Sequence, residues 1–141
     1  MSYAELHCLS NFSFLRGASH PGELIERAAQ LGYAALALTD ECSVAGVVRA
    51  HTAARERQFK LIVGTEITLD DGLKLVLLAE DQLGYSNLSQ LITVGRRRSK
   101  KGTYRLTRAD LADGLPGALA LWIPSGMPDP DQGQWLRSLF G

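Results

Sequence analysis

The sequence predicts an α/β protein, a layered sheet or barrel built from mainly parallel strands with helices outside. Two observations carry this: short apolar runs alternate with segments whose apolar residues recur at helical spacing, and the run at 33–39 (YAALALT) is apolar throughout, as in strands covered on both faces. A third bounds the size. At 141 residues, 45% hydrophobic and 21% charged, the chain has the composition of one globular domain. That is short of the roughly 250 residues of a complete eight-stranded barrel.

Residues 4–8, carrying His7, form the first strand candidate. A turn-rich stretch with Arg16-Gly17-Ala18-Ser19 follows. Pro21 suits the first position of a helix, where its missing N–H costs nothing, and His20 helps cap that entry. Leu24, Ile25, Ala28 and Leu31 mark the inner face, and Gly32 closes the helix in the left-handed conformation. The strand at 33–39 ends in Asp40-Glu41. Ser43 is positioned to cap a second helix with the stripe Val44, Val47, Val48, His51 and Ala54, which makes His51 a packed or half-exposed core histidine.

Residues 60–67 form the third strand, Asp70-Asp71-Gly72 a turn that permits a hairpin, and residues 73–79 the strand after it. Asn87 and Gln90 form a capping-box pair for the next helix, which runs into Arg96-Arg97-Arg98-Ser99-Lys100-Lys101. Thr107 with Asp110 repeats the signature for a short helix ended by Gly114. Residues 118–123 are a fifth strand, 124–133 a Pro-, Gly- and Asp-rich loop, and 134–140 the start of an amphipathic helix that the chain does not finish. The expected organisation is therefore a domain over 1–123 and a loop with a truncated helix over 124–141.

Composition excludes several classes. The apolar runs are far shorter than the roughly 18 residues needed to span a bilayer, and no basic-then-apolar leader opens the chain. The 15 Lys and Arg balance the 15 Asp and Glu, so global charge gives no pull toward nucleic acid or membrane. Two cysteines, Cys8 and Cys42, are too few for a disulfide framework and read as small buried hydrophobes. A cytoplasmic location is expected.

In α/β folds reactive residues gather where strands end. That rule selects His7, Asp40, Glu41 and Glu66, a set of donors that could ligate a divalent metal, although acidic residues at strand ends also cap helices. The five charges at Arg96, Arg97, Arg98, Lys100 and Lys101 could contact phosphate. They equally suit a solvated helix end, where cations complement the helix dipole, and no aromatic residue is interleaved to stack bases.

Four ordered segments, ELHCLSNFSFLRGASHP, ALALTDECSVAG, LIVGTEI and LKLVLLAEDQLGYSNL, together resemble the polymerase-and-histidinol-phosphatase (PHP) domain that opens bacterial C-family DNA polymerases. The resemblance is closer to the error-prone, damage-inducible branch, which the RRR cluster, TYRLTRADL and LALWIP also fit. It implies a distorted (β/α) barrel, here an N-terminal part of about five strands with helices outside.

The resemblance also implies a metal site that this sequence departs from. Active members carry a His-x-His pair; here His7 matches the first and Leu9 stands in place of the second. The acidic residue of their Leu-Leu-Asp-Gly turn is replaced by Arg16, and the histidine of their Thr-Asp-His by Glu41, while Asp40 is kept. Their Gly-x-Glu survives as Gly64-Thr65-Glu66, and Lys74 occupies the position of a further histidine. Two cations thus stand where ligands should, and a cation repels a divalent ion placed beside it. Arg16 and Lys74 are expected to pair with Glu41, Glu66 or Asp40 in place of a metal.

Three functions follow as expectations. The first is a catalytically degenerate structural domain of an error-prone DNA polymerase engaged in damage-induced mutagenesis and translesion synthesis. That parent's two-metal site would lie in a later domain and use Mg2+, whereas the 141 residues need no cofactor. DNA, deoxynucleotides, the sliding clamp and mutagenesis accessory proteins would be its partners, with no membrane. The second is a PHP-type metal-dependent phosphoesterase or exonuclease. The third is a nucleic-acid-binding module acting through the basic cluster. An open sheet edge would also let the chain self-associate.

Overall fold

A computed structural model describes residues 2–141. Five strands appear in the sheet order β1-β2-β3-β4-β5, the order of the chain. The chain divides into two compact units, residues 1–65 and 66–141.

In the first unit, β1 (Ala4–Cys8), β2 (Ala35–Leu38) and the first part of β3 (Leu61–Thr68) run parallel. The register of β1 on β2 shifts between Glu5 and Cys8. Helix α1 (Pro21–Gln30) begins at the expected proline, and Gly32 closes it at φ +71°. Its Ile25 and Ala28 pack with Leu36 and Leu38 of β2 and with Ala50 and Ala54 of α2 (Val47–Glu56). All four residues of β2 are buried, as a strand covered on both faces requires.

Helix α2 corrects two expectations. Ser43 does not cap it: the N-cap is Gly46, and Ser43 Oγ accepts from Ala45 N within the preceding turn. Starting at Val47 turns the inner face to Ala50 and Ala54, leaving Val48 and His51 exposed. His51 is therefore a surface residue.

In the second unit, β4 (Lys74–Ala79) pairs antiparallel with β5 (Ala118–Ile123) over its full length. The Asp70-Asp71-Gly72 reversal is closed by Leu69 N to Leu73 O and Gly72 N to Leu69 O. Leu75, Leu77, Leu88, Leu106 and Leu111 are fully buried in its core. Helix α3 (Gln82–Arg97) starts five residues before the expected Asn87 cap. Asp81 caps it by accepting from Gly84 N, and Asn87 instead donates to Pro116 O. The short 3-10 helix (Arg108–Leu111) has the capping box read from Thr107 and Asp110.

Helix α4 (Pro130–Phe140) starts inside the segment expected to be loop. Asp129 accepts from Asp131 N as its N-cap and Pro130 fills the first position. The Asp129-Pro130-Asp131 stretch is thus a helix start, built on the same chemistry as Pro21. No helix among the described residues is long and apolar enough to cross a membrane.

Candidate functional site

The strand-end residues of the first unit are organised around Asp40. Its carboxylate is 1% exposed and accepts from three donors: Ser10 N and Ser13 Oγ on Oδ1, and Ser10 Oγ on Oδ2, each at 2.7 Å. The hydroxyls serve twice, because Ser10 Oγ accepts from Phe12 N at 3.2 Å and Ser13 Oγ from Glu41 N at 2.9 Å. Thr65 Oγ1 donates to Asp40 O and accepts from Ser43 N, tying the end of β2 to β3. The loop after β1 is folded onto the aspartate. Gly17 permits it, since a Cβ there would collide with the Ser10 carbonyl.

Arg16 Nη1 meets Glu41 Oε2 at 3.0 Å, both side chains about one-third exposed (35% and 32%). His7 is exposed on β1, and its backbone N–H donates to Glu5 Oε1. Leu9 is half-buried just beyond the strand and offers no donor. Burial pushes the Cys8 thiol up to about 11, reinforced by Glu5 and Asp40, which suits the inert role expected of it. Cys42 is fully buried.

In the second unit, Glu66 is fully buried and Lys74 Nζ lies 3.8 Å from its Oε1. A buried carboxylate requires such compensation, because desolvating an isolated charge costs several kcal/mol (about 3–5 when a partner is removed). Both expected cation–carboxylate pairs therefore form, Arg16 with Glu41 and Lys74 with Glu66, while Asp40 takes hydroxyl and amide donors instead.

These side chains do not fit a divalent metal cluster. Both oxygens of Asp40 already accept hydrogen bonds, and Glu41 and Glu66 each face a cation. Among the described residues no three His, Cys, Asp or Glu side chains gather into a group that could hold a metal ion. Sequence reasoning missed Ser10 and Ser13; the S-x-x-S spacing directly after a strand end was the available signal.

The basic cluster is partly consumed by local structure. Arg98 makes a two-pronged pair with Asp110 at 2.8 and 2.9 Å, and Arg96 lies over the Tyr104 ring at 5.3 Å. The fold thus brings to the cluster an aromatic ring that the sequence does not interleave. Arg97, Lys100 and Lys101 are exposed. Asp110 is pushed up by burial, but the Arg98 hydrogen bond and those from Thr107 outweigh this and hold it below the usual carboxylate value. Asp71, bonded by Arg108 at 2.6 Å, is lowered against burial in the same way. A groove of about 430 Å³ between α3 and residues 110–116 contains none of the strand-end residues.

Residues 5–123 match the PHP domain family. The chain is 63% identical over 139 residues to a Pseudomonas aeruginosa protein named error-prone DNA polymerase, covering 99% of this chain and 13% of that one. A Methylococcus capsulatus protein of the same name is 60% identical over 139 residues, covering 98% and 13%. The chain thus spans about 13% of the length of these curated relatives. Among solved structures it is similar to a protein named as a metal-dependent phosphoesterase from Bifidobacterium adolescentis, with TM-score 0.57 and 28% identity over 68% of this chain and 34% of that one. It is also similar to an amidohydrolase from Chromobacterium violaceum with bound sulfate and no metal, with TM-score 0.58 and 30% identity over the same shares, 68% and 34%.

Proposed function

Because the chain belongs to the PHP domain family, we propose that it is the N-terminal PHP domain of an error-prone DNA polymerase, and that its family metal site has become a structural one. The parent would join deoxynucleotides on a DNA template in the cytoplasm during damage-induced mutagenesis and translesion synthesis. Its Mg2+-dependent site would lie in a later domain, and a sliding clamp and mutagenesis accessory proteins would be its partners. The shared name of the two curated relatives supports the parent.

The observation that carries structural degeneracy is the pairing of both substituted cations, Arg16 with Glu41 and Lys74 with Glu66. A guanidinium or ammonium neutralises a carboxylate without a metal and opposes a divalent ion beside it. A PHP-type phosphoesterase is the second reading, favoured by the likeness to the Bifidobacterium protein.

Elemental mass spectrometry separates the two. Protein incubated with manganese and zinc and then desalted is expected to carry near-zero metal per chain; stoichiometric metal would favour the phosphoesterase. Primer extension by the whole protein on intact and damaged templates tests the parent activity. For the basic cluster, Arg97, Lys100 and Lys101 are proposed as a minor phosphate contact, with Arg96 and Arg98 serving the fold. Alanine at those three positions should lessen the salt dependence of DNA binding.

A further inference from the structure

We propose that the turn after β1 is a docking tip, and that Phe14 and Leu15 seat in an apolar socket on a later part of the same polypeptide. The proposal rests on the parent reading above. Phe14 is 85% and Leu15 90% exposed. Single exposed apolar side chains are ordinary, and Val48 at 75% is one. Here two large ones are adjacent on a turn, with Phe12 beside them at 37% exposed under the Arg49 guanidinium.

The turn is also held still in an unfavourable shape. Leu15 has φ +62°, a left-handed backbone that non-glycine residues avoid and that persists only where surrounding structure imposes it. That structure is present. Arg16 N and Gly17 N both donate to Ser13 O at 3.0 Å, and Ser13 Oγ donates to the buried Asp40. Arg16 is tied to Glu41. The bonds that gather this loop onto Asp40 thus hold two apolar side chains out into solvent. A pre-ordered tip loses little entropy on docking.

The size of the tip selects its occupant. Two or three side chains are far below the roughly 1,200–2,000 Å² that a stable interface between separate molecules buries. A tethered occupant needs far less, because linkage supplies a high effective concentration. The 139 matched residues are only 13% of the Pseudomonas aeruginosa relative, so a protein of that length has ample chain beyond them to supply the socket.

Hydroxyl-radical footprinting of the whole protein tests this, with each side chain's labelling divided by its intrinsic reactivity. Phe14 and Leu15 are expected to be labelled several-fold less than Val48, because the packed core of a contact excludes water. Labelling equal to that of Val48 overturns the proposal. So does protection that vanishes on dilution, which would make the occupant a second copy. Leu15→Gly supplies the second arm. Glycine accepts the left-handed backbone, so the turn stays folded while the anchor is lost, and Phe14 labelling should rise toward that of Val48; no rise overturns docking. Primer extension by the wild-type protein separates the two failures. If it extends primers with an exposed tip, docking alone falls; if it extends none, the parent reading falls and takes the proposal with it.

Discussion

Asp40 and Arg16 both tie the loop after β1 to the end of β2, yet their energetic weights differ. The three donors on Asp40 are buried and charge-assisted, and Ser13 serves both this carboxylate and Glu41 N. Ser13→Ala therefore removes one donor and one acceptor from a dry site and should destabilise the protein by about 1–3 kcal/mol. The Arg16–Glu41 pair is about one-third exposed on each side (35% and 32%), where water and salt screen it, so Arg16→Ala should cost about 0.2–1 kcal/mol. Urea midpoints of the two variants check the order. A larger loss from Arg16→Ala would mean that the ion pair, and not the hydroxyls, organises the loop.

At the scale of elements, the start of α3 depends on close backbone contact. A Cβ on Gly84 would fall on the Gly117 carbonyl, and backbone cannot move aside as a flexible side chain can. Gly84→Ala is expected to cost about 3 kcal/mol, the upper end for overpacking, whereas Asp81→Ala loses only a cap, about 1 kcal/mol. The ion pairs Arg98–Asp110 and Arg108–Asp71 anchor the 105–111 segment and set an acid limit. Both carboxyls sit below the ordinary aspartate value of 3.8, so the unfolded chain takes up protons first as pH falls. Their stabilisation is complete above 3.8 and is lost as pH drops through the folded values. Asp110→Asn should flatten the acid side of a plot of urea midpoint against pH, leaving the neutral side shifted but level. An unchanged slope would show that Asp110 does not contribute to the acid transition.

At the scale of the whole molecule, β5 pairs with β4 and ends the strand order. Its outer N–H and C=O groups make an edge that can accept another strand. Self-association of the 141-residue protein through this edge is expected in sedimentation velocity. Lys at Leu119, an exposed edge position, should shift it to monomer; a monomeric wild type at all concentrations would remove the edge as an interface.

Much of this was local and therefore legible in the sequence. The bounds of β1 and β5, the Pro21 helix start, the left-handed Gly32 and the Thr107–Asp110 box each depend on a few neighbouring residues, whose φ preferences and hydrogen-bonding groups act within one turn. The pairing of Arg16 and Lys74 with carboxylates followed from the positions that the family resemblance gives them, together with their charge. What the sequence could not rank were choices settled by distant partners. The requirement for glycine at position 84 shows only once the Gly117 carbonyl lies against it, and Asn87 looks like a cap until Pro116 O takes its amide. The face of α2 depended on a start at Val47 that leaves His51 outside. Ser10 and Ser13 became site residues only when the β1 loop folded back across 30 and 27 residues to Asp40. Short-range propensity belongs to the chain, whereas the partners of a buried polar group belong to the fold, because burial removes the water that would otherwise satisfy it.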